Sequence, residues 1–191
     1  MTGRDPNPSR GRAGVALAAA ALAALAAAFA GGCPLPQPLA EVARTDGGTV
    51  APPRIVTESA VPSDSVVLVS RSCTSAVFTL GAEVEDVNTA EAVEARWFVD
   101  YSPDKVQIPL SVAVPAAADT SNPIRTVPPY AFDALQAGTT APLHVVELVV
   151  SNAFQPISTT NPQQNRTAQS GFETALYRWV FQYVDTGGRC Q

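Results

Sequence analysis

From about residue 64 onward the chain is written in alternation. Phe78, Leu80, Ala82 and Val84 fall on one side of an extended backbone while Thr79, Glu83 and Glu85 fall on the other. That is the two-residue period of a strand with one face in a core. After a turn-rich interval at residues 86–90, Val93, Ala95, Trp97, Val99 and Tyr101 alternate with Glu94, Arg96, Phe98 and Asp100, a second amphipathic strand centred on a tryptophan. The two either pair as a hairpin or face each other across two sheets. Further strands are expected at 65–69, 108–114, 124–127, 143–151 and 175–184, with Pro109, Pro115, Pro123, Pro128, Pro129 and Pro142 near their ends or on edges. No helical stripe competes with this pattern, so the expected fold class is all-β, a β-sandwich.

The pattern changes upstream. Residues 34–63 hold Pro34, Pro36, Pro38, Pro52 and Pro53 among glycines and small polar residues, with no apolar period. Proline removes amide donors and favours extended backbone, so this segment reads as a tether. Ahead of it, Arg4, Arg10 and Arg12 stand against one acid, Asp5, and residues 13–30 carry no charge. A basic start followed by an apolar run is the layout of an export signal. The expected organisation is therefore a signal at 1–32, a tether at 33–63 and one domain at 64–191.

Small residues, Ala30-Gly31-Gly32, lead directly to Cys33. In this the segment resembles the signal of bacterial lipoproteins, although Ala30 stands where that family most often has leucine. The resemblance implies cleavage before Cys33 and a diacylglycerol on its thiol, which fastens the chain to a membrane without a spanning helix. Pro34 is not the aspartate that often retains such proteins at the inner membrane, so the resemblance points to the outer membrane, with sidedness open. Two alternatives stand beside it: an uncleaved signal anchor, and a secreted protein that keeps Cys33 as a free thiol.

The formal net charge is −5. Loss of residues 1–32 would remove three arginines and one aspartate, which makes the exported chain more acidic still. Such a balance disfavours nucleic acid or an anionic surface as main partner. Of three cysteines, lipidation of Cys33 leaves Cys73 and Cys190 as an even pair, and an oxidising compartment permits a disulfide between them.

The strand pattern also resembles a family. Residues 78–86 followed by 95–100, with Trp97 as core tryptophan, resemble strands B and C of immunoglobulin-like domains. Residues 144–152 resemble the penultimate strand of immunoglobulin-like and polycystic-kidney-disease-type modules. The resemblance implies an immunoglobulin-like sandwich completed by the strand at 177–183.

Candidate chemistry is sparse. His144, the sole histidine, has no evident partner and shares a face with Val146, Leu148 and Val150, which reads as a core or rim side chain. Glu83, Glu85, Asp86, Asn88, Glu91 and Glu94 hold oxygens of the kind calcium takes, yet Glu83, Glu85 and Glu94 fall on solvent faces and the group lacks an EF-hand spacing. Tyr177, Trp179, Phe181 and Tyr183 read as the core side of the last strand before they read as a sugar platform. The polar loop at 151–171 is long for a hairpin connection and is the first place to look for binding. No cofactor or catalytic residue is expected. The reading is a non-enzymatic envelope protein, anchored through Cys33 and open to partnership with another envelope protein, with a surface glycan or small-ligand binder, or an enzyme of dispersed site, as alternatives.

Overall fold

The computed structural model describes residues 51–191. The signal segment and Cys33 lie outside the described residues. Two sheets pack face to face in an all-β sandwich. The first holds β1 (Arg54–Val61), β3 (Val77–Glu85), β6 (Ile124–Thr126) and β7 (Tyr130–Asp133), and the second runs in the order β2 (Val66–Ser70), β9 (Ala175–Val184), β8 (Leu143–Ser151), β4 (Val93–Val99), β5 (Leu110–Val114). All pairings are antiparallel except β2 with β9, which is parallel. The strands at 78–85 and 93–99 do not form a hairpin. They belong to opposite sheets and face each other through the core.

Alternation decides which side chains meet there. Phe78, Leu80, Ala82 and Val84 from β3 pack against Trp97, Val146, Leu148, Val150, Trp179 and Phe181, all buried. An aromatic row crosses the interior, with Tyr177 against Trp179 at 4.5 Å, Trp179 against Trp97 at 5.7 Å and Trp97 against Tyr130 at 5.4 Å between ring centroids. Trp179 Nε1 donates to the Pro62 carbonyl at 3.0 Å. The aromatic face of the last strand is therefore core, as its alternation predicts.

Two strands depart from the sequence reading. β1 lies inside the stretch that reads as a tether, so the folded domain begins before residue 64. Its apolar period is broken because Ile55 and Ala60, which both face the core, are an odd number of residues apart. A bulge between Val56 and Val61 restores the phase. Ser59 completes it, its Oγ donating to the Val56 carbonyl at 2.7 Å and accepting the Glu83 amide at 2.7 Å. The other departure is β7. β6 and β7 pair with successive stretches of the same edge of β3, and Val127-Pro128-Pro129 separates them because proline cannot donate to a ladder. A single helical turn, α1 (Ala134–Ala137), follows, capped by Asp133 Oδ1 on the amides of Leu135 and Gln136.

Cys73 and Cys190 are joined by a disulfide. It holds the C-terminal tail against the β2–β3 connection, where Arg189 N donates to Leu68 O at 2.8 Å and Val77 N to Gln191 O at 3.1 Å. Glycine is required here, since a Cβ on Gly188 would stand 2.2 Å from Ser70 N.

Candidate functional site

His144, second residue of β8, is buried, and the structure supplies the partners its sequence context does not reveal. Nδ1 meets Asp100 Oδ2, and Nε2 lies 2.6 Å from the Gly138 carbonyl. Asp100 follows β4 directly and has φ 50, a left-handed conformation that aspartate tolerates better than most residues. In that pose its amide donates to Val145 O and its Oδ1 accepts from Val145 N, both at 2.8 Å. Gly138, at φ 106, ends α1 and turns its carbonyl to the ring. Phe132 and Tyr183 meet the imidazole edge on.

Both ring nitrogens thus face acceptors, and a neutral imidazole has only one N–H. Burial works against the charged form, but the bond to the Gly138 carbonyl and the bond and charge of Asp100 outweigh it, so the His144 pKa is raised. The pairing with Asp100 has the layout of two members of a hydrolytic triad. The third contact differs: Nε2 is engaged by a main-chain carbonyl, so the ring has no free nitrogen with which to take a proton from a hydroxyl.

The acidic residues at 83–94 are dispersed among different partners. Asp86 is buried and accepts from Arg125 Nη2, from Asn152 Nδ2 at 2.9 Å and from the Asn88 amide at 2.9 Å. Arg125, also buried, spends Nη1 on the carbonyls of Glu91 and Pro115. Glu85 pairs with exposed Arg54 at 3.2 Å, and Glu94 takes Arg96 at 2.7 Å and the Ser111 hydroxyl at 2.6 Å. Among the described residues no three His, Cys, Asp or Glu side chains gather as a metal site would need.

The polar loop after β8 is a strap laid over the outer face of the five-stranded sheet. Under it Phe98, Val149 and Phe154 form a small second core, with Tyr101 packed against it. Arg96, which alternation assigns to the solvent face, is buried by the strap and donates to the carbonyls of Asn165 and Gln155, each at 3.0 Å, while stacking on Phe154. Asn165 is fully buried. Its Nδ2 reaches the carbonyls of Gln107 at 2.9 Å and Ser158 at 3.0 Å, and its Oδ1 accepts the Ser158 amide. Arg166 lies over Tyr101 and pairs with Glu147, which also holds Arg178 at 2.6 Å. The polar residues expected to be available for binding are largely spent on holding the loop down.

Asp100, Arg125, Arg96 and Gly138 escape a reading by alternation, because each acts through a partner distant in sequence. Arg125 leaves the clearest trace, a charged residue in the middle of an otherwise uncharged three-residue strand. Among the described residues no helix is long and apolar enough to cross a membrane. Compared with protein-family models and with curated proteins, the chain matches none.

Proposed function

We propose that the protein is a lipid-anchored component of the cell envelope, attached through Cys33, whose sandwich domain is a non-enzymatic interaction or structural module at the outer membrane. The cysteine pairing carries this reading. With Cys73 and Cys190 bonded to each other, Cys33 is the one remaining thiol, and it stands directly after Ala30-Gly31-Gly32 at the end of an uncharged run. Lipid transfer consumes a thiol that would otherwise be exposed to oxidation. Two acyl chains hold a protein on a bilayer far more firmly than one, at about 0.8 kcal/mol per buried methylene.

The engaged state of His144 supports a role without catalysis. The strand orders support the immunoglobulin-like reading: β1, β3 and β6 take the places of strands A, B and E, and β4, β8 and β9 those of C, F and G. Mass spectrometry of the N-terminal peptide from the membrane fraction tests the anchor. The expected product begins at Cys33 and carries a diacylglyceryl group, and Cys33→Ala abolishes it. An unacylated peptide with the leader attached, or a chain free in the medium, overturns the proposal.

A further inference from the structure

Among the described residues the two sheets present four edges, and three of them are guarded. The far side of β2 is taken by the C-terminal tail, with Arg189 N on Leu68 O at 2.8 Å and Ser70 N on Arg189 O at 3.3 Å. β1 carries Arg54 and Glu58, charges of the kind that discourage strand addition. The edge made by β6 and β7 is broken between them by Pro128 and Pro129. β5 has none of these protections. Among the described residues no strand pairs with its far side, Leu110, Ser111 and Ala113 are exposed, and residues 106–118 carry no charge.

The backbone direction of β5 follows from its neighbours. Asp100 N donates to Val145 O at 2.8 Å, so the even-numbered residues of β4 bond toward β8. The odd-numbered ones bond the other way, and Val99 O accordingly accepts from Gln107 on the β5 side. Leu110, Val112 and Val114, opposite Trp97, Ala95 and Val93, therefore bond to β4. Ser111 and Ala113 turn their N–H and C=O groups outward. The next positions of that parity, Pro109 and Pro115, have no N–H to offer.

The outward groups are self-complementary. When a second copy lies antiparallel with Val112 opposite Val112, Ser111 of each chain exchanges both backbone bonds with Ala113 of the other. Pro109 then stands opposite Pro115, and the ladder stops at both ends. Sliding the copy by two residues puts a proline opposite Ser111 or Ala113 and leaves an outward carbonyl without a donor. Leu110, 50% exposed, falls opposite the copy's Val114. Charge permits the approach, because Glu94, the acid beside this edge, is already held by Arg96 at 2.7 Å.

We propose that β5 pairs with β5 of a second copy of this chain, antiparallel and centred on Val112, which joins the two five-stranded sheets across a two-fold axis. The pairing belongs to the sandwich domain and holds whether or not Cys33 is acylated. The shared ladder is short, so the association is weak and is best read by cross-linking. The test uses the full chain with Cys33→Ala, which leaves no other free thiol beside the Cys73–Cys190 bond. Val112→Cys then places two thiols across a non-hydrogen-bonded pair, about 4.5 Å apart at Cα and within the span of a disulfide. Mild oxidation gives a covalent dimer. Ser111→Cys sets its two copies out of register, about 7–8 Å apart, and stays monomeric. Adding Ala113→Pro to Val112→Cys removes an outward donor that the fold itself does not use, and the dimer is lost. Sedimentation equilibrium of the chain without an added cysteine shows a concentration-dependent dimer, which Ala113→Pro shifts to monomer. Any association through residues 1–50 is common to all these variants. Cross-linking of Ser111→Cys as fast as that of Val112→Cys, or a dimer that survives Ala113→Pro, overturns the proposal. So does a chain that sediments as monomer at every concentration, which would leave the edge to a strand of another protein. The cysteine comparison and the sedimentation of the chain with Ala113 in place stand even if Ala113→Pro fails to fold.

Discussion

Strand β8 runs between two charge pairs of different kind. Near its start, His144 meets Asp100, and just past its end Asn152 joins Asp86 and Arg125. The Asp86–Arg125 pair is sealed, with side chains 0% and 5% exposed. Asp100, by contrast, leaves 46% of its side chain in solvent while His144 is 7% exposed. Arginine does not release its proton in proteins, whereas imidazole titrates near neutrality. One end of the strand is thus closed by a pair whose cation is permanent, and the other by a pair whose attraction depends on pH. A buried pair also depends on both members far more than a half-open one, because no water replaces a missing partner.

The strongest test of that difference removes one member of the sealed pair. Arg125→Met leaves Asp86 buried with only the Asn152 and Asn88 donors, and an uncompensated buried charge costs about 3–5 kcal/mol. Chemical denaturation of the variant should show that loss as a lower midpoint. Arg125→Met combined with Asp86→Leu should recover most of it, since replacing a whole buried pair by apolar groups is often close to neutral. A double variant no more stable than the single one would mean that Arg125 acts mainly through the carbonyls of Glu91 and Pro115.

The disulfide gives the next largest effect, and it bears on the His144 end. Cys73–Cys190 closes a separation of 117 residues and secures the tail that follows β9, the strand that pairs His144 with Phe181. Cys73→Ser with Cys190→Ser should lower stability by about 2–4 kcal/mol. In hydrogen exchange, the amides of Arg189 and Ser70, which bond between the tail and β2, should lose protection before those of β8. Uniform loss through the domain would show that the bridge supports the whole sandwich and not its terminus.

A smaller effect separates the two outer surfaces. Arg96→Met removes the two bonds that hold the strap at Asn165 and Gln155, together with the pairing with Glu94 and the guanidinium over Phe154. The expected cost is about 2 kcal/mol, with the strap carbonyls left to water where it can reach them. Exchange should quicken at the Gln155 and Gln169 amides, which bond within the strap, and leave the Asp86 end unchanged.

These contrasts mark how far the sequence can be read. Alternation locates β3, β4, β8 and β9 and the aromatic row, because each of those strands keeps one face in the main core over its whole length. β1 escapes because a bulge shifts its phase between Ile55 and Ala60, so a two-residue period cannot register it. β7 escapes because four residues after two prolines carry too little pattern. Arg96 and Phe98 read as solvent-facing for a different reason. The strap that buries them comes from residues 152–174, and nothing in β4 announces it. The charge pairs are illegible for the same reason, since Asp86 and Arg125, or Asp100 and His144, meet only once both sheets have formed. The disulfide is legible from cysteine parity.

The smallest expected effect is the one that defines the pH-sensitive end. The folded pKa of His144 is raised, so its contribution to stability is fully present below the unfolded value, about 6.5, and is lost as pH rises through the higher folded value. The other charged or titratable groups at this end are Asp100, Tyr183, Arg71 and Asp133. Tyr183 is itself raised above the ordinary phenol range by burial and does not titrate in this window. Because Asp100 is half open to water, the pair is worth only about 1 kcal/mol. His144→Phe should suit the ring contacts with Phe132 and Tyr183 while losing both hydrogen bonds. The stability difference between the unaltered chain and this variant should be greatest near pH ~5.5 and shrink toward pH ~8.5, on either side of the ordinary histidine range. The same difference measured for Asp86→Asn should stay flat across that interval, since no histidine lies in its network. A flat His144→Phe difference would mean that the imidazole holds its proton no more tightly in the folded chain than in the unfolded one, and would make the two ends of β8 alike.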